Sequence, residues 1–165
     1  MDASKVKDVV AWINRAPSPL RPILLSRMVG LVVPYVATTG LVIESMSADE
    51  VTGKVPRRKR SANHIGGVHA VAAMLLAETV TGFLVAMNLP RGRLPLLKSL
   101  EADFTKRSRG AIRARAWLDE NGRERIATEP KGRLEIPVEL FDESGRQPMT
   151  CKAVWAWVPA GKKAS

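Results

Sequence analysis

The stretch Ser61–Gly82, SANHIGGVHAVAAMLLAETVTG, decides how the rest of the chain is read. From Ala70 to Pro90 a single side chain is ionisable, Glu78, although the chain carries 26 basic and 16 acidic residues. A helix that is apolar nearly all round belongs inside a protein, and the spacing predicts one over about Val68 to Met87. An isolated carboxylate is expensive in such surroundings unless it is hydrogen-bonded or chemically used. Glu78 is therefore either a satisfied structural group or a catalytic acid, and the residues alone leave both open.

His69 stands at the start of the same helix, directly after Gly66, Gly67 and Val68. Unpaired backbone N–H groups and the positive end of the macrodipole gather there, and such a terminus can hold an anion or a developing oxyanion. Glycines let a ligand come close to the backbone. A histidine in this place can equally be a cap. His69 and Glu78 are nine residues apart, which puts them on opposite sides of a helix and about 13 Å apart along it. They cannot serve one atom within one chain. If both are catalytic, each comes from a different copy, and twofold symmetry gives two equivalent sites.

Working outward, Ser4–Arg15 reads as a helix capped by Ser4, with Val6, Val9, Val10 and Ile13 at helical spacing. Ala16–Pro19 breaks it. Leu20–Val33 reads as a second helix with Leu24, Met28 and Leu31 on one stripe, ended by Pro34. TTGLVIESMS and VTGKVPRRKR read as two strands joined near Ala48–Asp49. After a break at Leu89–Pro95 the pattern is strand-like to the end. LLKSLEADFTKR alternates in part. AIRARAWL alternates cleanly, with Ile112, Ala114, Ala116 and Leu118 inward and Arg113, Arg115 and Trp117 outward. LEIPVELF and TCKAVWAWV follow, with DENG and DESG as turn signals. Trp155 and Trp157 share one strand face and suit a subunit interface. The order predicts an α+β fold, an antiparallel sheet wrapped round a central apolar helix. One helix cannot cover a long sheet on both faces, so pairing with a second copy is expected.

Composition narrows the classes. The 165 residues suit one domain with a real core. Cys151 is the single cysteine, so no disulfide forms within the chain and a reducing compartment is expected. One cysteine and two histidines speak against structural zinc. The N-terminus lacks the pattern of a signal peptide. Leu20–Val36 is interrupted by Arg21 and Arg27, and Val68–Leu89 centres on Glu78, so neither is expected to span a membrane. The net charge of +10 attracts anions: nucleic acid, acidic lipid or phosphate-bearing small molecules.

Asn63-His64-Ile65-Gly66-Gly67-Val68-His69-Ala70, with Glu78 nine residues after His69, resembles the hotdog-fold acyl-CoA thioesterases. It is most similar to the branch that includes the phenylacetate-pathway thioesterases. That branch carries an Asn, five residues, His-Gly-Gly, and an acid nine residues beyond the His. SLEADFTKRSRGAIRARAWL, Ser99–Leu118, is similar to its strand, basic turn, glycine and strand. The resemblance covers Thr39 to Val158. It implies a hotdog domain over 37–160, an N-terminal helical extension over 1–36 that would cap the pocket, and a flexible tail over 161–165. Glu78 would be general base or nucleophile. Asn63 would place the water or the thioester. His69 and the Ala70 N–H would polarise the carbonyl, Gly66 and Gly67 would line the substrate, and Ser99 would add a polar contact. The second glycine pair of the family is replaced here by His69-Ala70-Val71, which leaves the backbone donor and narrows the pocket.

The densest basic clusters are Arg57–Arg60 and Lys106–Arg109. They are solvated strand ends, or else Arg57, Arg58, Arg60, Lys106, Arg107 and Arg109 recognise the phosphates of coenzyme A. The implied reaction is hydrolysis of an acyl-CoA or similar thioester, without metal and with coenzyme A only as part of the substrate. The implied assembly is a cytoplasmic homodimer or dimer of dimers, with no membrane partner. Dehydration of hydroxyacyl thioesters, a non-catalytic acyl-CoA-binding module and a basic nucleic-acid-binding protein are the alternatives. The last lacks zinc spacing, an RNA-binding aromatic motif and a recognition helix.

Overall fold

The computed structural model describes residues 3–161, with side chains from Val6 onward. Ser4 lies within α1 rather than ahead of it, its side chain is not among those described, and the tail from Lys162 lies outside the described residues. In chain order the elements are α1 (Ala3–Ile13), α2 (Arg21–Val32), α3 (Pro34–Thr39), β1 (Val42–Met46), β2 (Glu50–Val55) and α4 (Ala70–Asn88). They continue with β3 (Arg93–Phe104), β4 (Ile112–Trp117), α5 (Glu120–Thr128), β5 (Gly132–Ile136), β6 (Val138–Asp142) and β7 (Met149–Pro159).

α4 is the axis. Its length and composition would suffice to cross a membrane. Twelve of its 19 residues are nevertheless buried, against β2, β4 and β6 on one side and β3 and β7 on the other, which makes it a core helix. Its polar residues are absorbed locally. Thr79 and Thr81 donate to the carbonyls of Leu75 and Ala77 at 2.6 and 2.8 Å. Asn88 ties the far end to Ala48 O at 2.8 Å. Gly53 in β2 lets the helix come close, since a Cβ there would sit 2.9 Å from Val42 O and 3.3 Å from the Leu76 side chain.

The strands form two antiparallel sheets, β1-β2-β4-β6 and β3-β7-β5. The expected single strand LEIPVELF is two. Pro137 interrupts it, and β5 joins one sheet while β6 joins the other. β4 alternates as its sequence predicts, with Ile112, Ala114 and Ala116 buried. β7 corrects the reading of its tryptophans. Trp155 and Trp157 face the core, and their indole N–H groups donate to Thr81 Oγ1 and Glu129 O, each at 2.9 Å. Gly82 makes room for the Trp155 ring, which a Cβ would meet at 2.7 Å. β3 is the outer strand of its sheet. Among the described residues its outer edge has no strand partner, and Leu94 and Leu96 are 44% and 42% exposed.

DENG opens α5 rather than a turn. Asp119 caps it by accepting from the Gly122 amide at 2.7 Å. Its sequence, ENGRERIAT, has little apolar periodicity, because only Ile126 is a buried large side chain. Pro34 ends α2 but also starts α3 at its first position, where a proline lacks nothing the helix needs. The buried stripe of α2 is Leu25, Met28 and Val29, whereas Leu31 is 82% exposed. α1 and α2 share one core with the sheets through Val6, Val10, Leu25 and Val29.

The two α2 leucines therefore separate. Leu25→Ala should cost about 2–5 kcal/mol, whereas Leu31→Ala should stay within about 0.5 kcal/mol. Urea unfolding of both variants checks this, and equal effects would place the stripe wrongly.

Candidate active site

The loop before α4 is built by Asn63. Its Oδ1 accepts from the amides of Ile65 at 3.2 Å and Gly67 at 2.9 Å, and its Nδ2 donates to Val68 O at 3.4 Å. Asn63 thus shapes the loop with its own side chain. Gly66 has φ near +80°, a conformation that favours glycine, and Gly67 lies so close to Ser108 that a Cβ would meet its hydroxyl at 3.1 Å. Arg57 donates to Gly66 O and Arg107 to Ile65 O, so both basic clusters strap this loop.

His69 is the N-cap of α4. Its Nδ1 accepts from the Val71 amide at 3.2 Å. In the neutral ring this fixes the proton on Nε2, which leaves an outward N–H donor. The carbonyl of His69 receives the Ala73 amide at 3.1 Å. Among the described residues the Ala70 amide has no backbone partner. His69, Ala70 and Val71 are all exposed, Val71 to 53%.

Glu78 lines an apolar cavity of about 160 Å³ with Thr79, Gly82, Phe83 and Trp155. Val6 of α1 and Val32 and Val33 at the end of α2 line one side of it. Burial lifts the Glu78 carboxyl above its ordinary value, and a hydrogen bond with Thr79 offsets part of that. Such a group exchanges its proton at a milder pH than a solvated glutamate does.

Neither His69 nor Ala70 reaches this cavity. His69 lines a separate one of about 290 Å³ with Tyr35, Thr39 and Arg60. Ala70 lines another of about 240 Å³ with Asn63, Gly67, Lys106 and Ser108. What connects helix start and acid is a stripe on α4. Val71, Met74, Leu75, Glu78 and Gly82 follow at helical spacing, and none of them is fully buried. Ser99 sits on β3 beside a register shift, opposite Val154, and lines none of these cavities.

The basic clusters converge in part. Arg57, Arg58, Arg107 and Arg109 line one open cleft of about 820 Å³. Arg60 does not, because its guanidinium lies against Gly40, and Lys106 faces the Ala70 cavity instead. The sequence reading missed Lys54, Arg113 and Arg146, which also line the cleft, together with one acid, Glu143. The alternation of β4 already turned Arg113 outward, and the register places Lys54 beside it. Nothing local marked Arg146. Lys54 and Arg113 share Glu44 at 2.8 and 3.4 Å. Among the described residues no carboxylate pairs with Arg57, Arg58, Arg107 or Arg109. Uncompensated guanidinium groups in a concave wall suit an anion with several phosphates.

Asp142 holds the cleft from beneath. It is buried and accepts from the Arg109 amide at 2.9 Å, the Ser144 amide at 2.9 Å, the Ser144 hydroxyl at 2.6 Å and the Arg146 amide at 3.2 Å. Burial works to raise its pKa, but these hydrogen bonds outweigh burial and hold it well below the carboxylate range. Burial pushes the Cys151 thiol up to about 11, so it is protonated and unreactive at neutral pH.

A family model described as "Domain of unknown function (DUF4442)" matches residues 22–158. A solved Pseudomonas aeruginosa protein of unknown function, described as a probable thioesterase, shares 25% identity and a TM-score of 0.73, over 87% of this chain and 97% of that one. A Haemophilus influenzae thioesterase shares 15% identity and a TM-score of 0.68, over 87% and 94%. A Staphylococcus aureus thioesterase, solved as variants at a glutamine and at a glutamate fifteen residues further on, shares 16% identity. Its TM-scores are 0.60 and 0.62, covering 77% and 76% of this chain and 100% and 98% of that one. These likenesses identify the architecture as the hotdog fold, with thioesterases among its neighbours. No curated protein matches the chain.

The Asp142 network carries a pH signature. Its folded pKa lies below the unfolded value of about 3.9, so its stabilisation is complete above that pH and is lost as the pH falls towards the folded value. Asp142→Asn should lower Tm at pH 7 on the order of 5 °C and make the acid side of the Tm–pH profile shallower. A variant whose profile overlays the wild type would remove Asp142 from this role.

Proposed function

The chain belongs to the DUF4442 family, and on that premise we propose that it hydrolyses an acyl-CoA or similar acyl thioester at a site shared between two copies. The observation that carries this reading is the placement of Glu78. It is a partly buried acid with a raised pKa, in an apolar cavity, on an α4 stripe that one chain leaves open.

A second copy laid against that stripe and along the free β3 edge would bring its own helix start towards Glu78. Pairing of the β3 edges would also cover Leu94 and Leu96. The Glu78 carboxylate then removes a proton from water while the water oxygen attacks the thioester carbonyl carbon. Charge develops on the carbonyl oxygen, which the partner's helix start receives through the backbone amide of Ala70 and Nε2–H of His69. The intermediate collapses with cleavage of the C–S bond, and the proton held by Glu78 passes to the departing thiolate. The products are a carboxylic acid, which releases its proton to solvent, and a free thiol. Asn63 acts through the loop it holds. Attack by Glu78 itself, through an anhydride that water then opens, uses the same groups.

The basic cleft supports a coenzyme A carrier, because four of its arginines, which pair with no carboxylate among the described residues, suit a diphosphate and a further phosphate. The Glu78 cavity supports a short acyl group. An apolar cavity of about 150 Å³ admits a benzene-sized ligand, and this one is of about 160 Å³. The Staphylococcus aureus variants lie fifteen residues apart, the separation of Asn63 and Glu78, which favours those two positions as a functional pair.

Glu78→Gln should lower kcat/KM for a good acyl-CoA by about 10²–10⁴-fold with fold and assembly intact. Because the base form is the active one and its pKa is raised, kcat/KM of the wild type should climb with pH through an inflection above the ordinary 4.5. Thiol release across an acyl-CoA panel reads both, and a Gln variant with wild-type rates would remove the role. Val32→Ala with Val33→Ala should shift preference towards longer acyl groups by about fourfold per added methylene. An unchanged chain-length profile would place the acyl group elsewhere.

A further inference from the structure

The outer surface of the N-terminal helices is used by nothing described so far. On α2, Ile23, Arg27 and Leu31 follow at intervals of four residues and all are exposed, so they form one stripe pointing away from the core. Leu31 is 82% exposed and Ile23 51%. Trp12 on α1 is 66% exposed. Large exposed apolar side chains on a helix stripe mark a contact surface.

The charges around them choose the contact. The exposed cations here are Arg15 and Arg27, while Arg21 is half-buried on the side of Leu25 and Met28 and donates to Ala16 O at 2.8 Å, and Asp8 of α1 is an exposed acid. Among the described residues neither Arg15 nor Arg27 pairs with a carboxylate. A second copy meeting this face through a twofold axis would set the arginines against their own images, which disfavours self-association here. A nucleic acid would have no use for Leu31 and Ile23. Aromatic and aliphatic side chains interleaved with arginine suit the boundary between acyl chains and anionic headgroups.

We infer that the exposed face of α1 and α2 docks on an anionic lipid surface, with Trp12, Ile23 and Leu31 entering the headgroup boundary and Arg15 and Arg27 meeting lipid phosphates. This is surface attachment. It departs from the sequence-based expectation of no membrane partner, which rested on the absence of a spanning segment. The docked helices also wall the Glu78 cavity through Val6, Val32 and Val33, so the acyl pocket would sit next to the lipid. The attachment itself does not depend on the proposed reaction.

Co-sedimentation of the full chain with vesicles tests it, using equal parts phosphatidylglycerol and phosphatidylcholine in one arm and phosphatidylcholine alone in the other. The wild type should bind the anionic vesicles at least about tenfold more strongly, with binding that weakens as salt rises. Ile23→Glu with Leu31→Glu should lose about tenfold of that binding, while Tm and thiol release from a soluble short acyl-CoA stay at wild-type values. Arg27→Glu should weaken the anionic arm alone. The inference is overturned by equal binding to both vesicle types or by a double variant that binds like the wild type. It is also overturned by light scattering that shows the double variant with half the wild-type mass, since a second copy would then be the occupant.

Discussion

An apolar helix must be covered on every side, and one chain of this protein does not finish the task. Two sheets and the N-terminal helices enclose most of α4, but Val71, Met74, Leu75 and Glu78 remain on a stripe that they leave partly open. The same face lies beside β3, whose outer edge offers unpaired backbone groups and exposed leucines. Both features are costly in an isolated molecule, and the proposed second copy would relieve both in one place. The proposed chemistry depends on this incompleteness, because the acid and the amide-bearing helix start face different cavities within a chain.

The fold divides the remaining tasks among separate elements. The apolar wall beside Glu78 comes from α4, β3, β7 and the valines of the N-terminal helices. The cationic wall comes from the end of β2, the turn before β4 and the turn after β6. Asp142 links the last two by holding the backbone of Arg109 and Arg146 together, so a buried anion organises an exposed cationic surface. Arg57 and Arg107 reach from that surface to the loop ahead of α4. Changes in the cleft are therefore mechanically close to the helix start, although charge and acid lie on different walls.

Much of this was legible in the sequence, and the reasons are local. The isolation of Glu78 in an apolar run marked both the central helix and the candidate acid. The strict alternation of Ile112–Leu118 fixed the inward face of β4. What escaped needed three-dimensional information. The polar helix α5 carries almost no periodic signal beyond its Asp119 cap. Pro137 divides a continuous apolar run between two sheets, which only the packing reveals. Trp155 and Trp157 looked like interface residues because nothing local told of Gly82 and Thr81, which give the first its space and its hydrogen-bond partner. Arg60 and Lys106 stood within the basic runs from which Arg57, Arg58, Arg107 and Arg109 converge, yet each turns to a different cavity.

The central claim is that acid and oxyanion donor come from different copies, and mixing inactive variants tests it most directly. Chains carrying Glu78→Gln and chains carrying His69→Ala are to be assayed alone and after co-expression. A mixed pair holds one site in which both residues are intact, so the co-expressed sample should recover about a quarter of wild-type thiol release, while each variant alone stays low. Recovery no greater than the average of the two separate variants would contradict a site shared across copies.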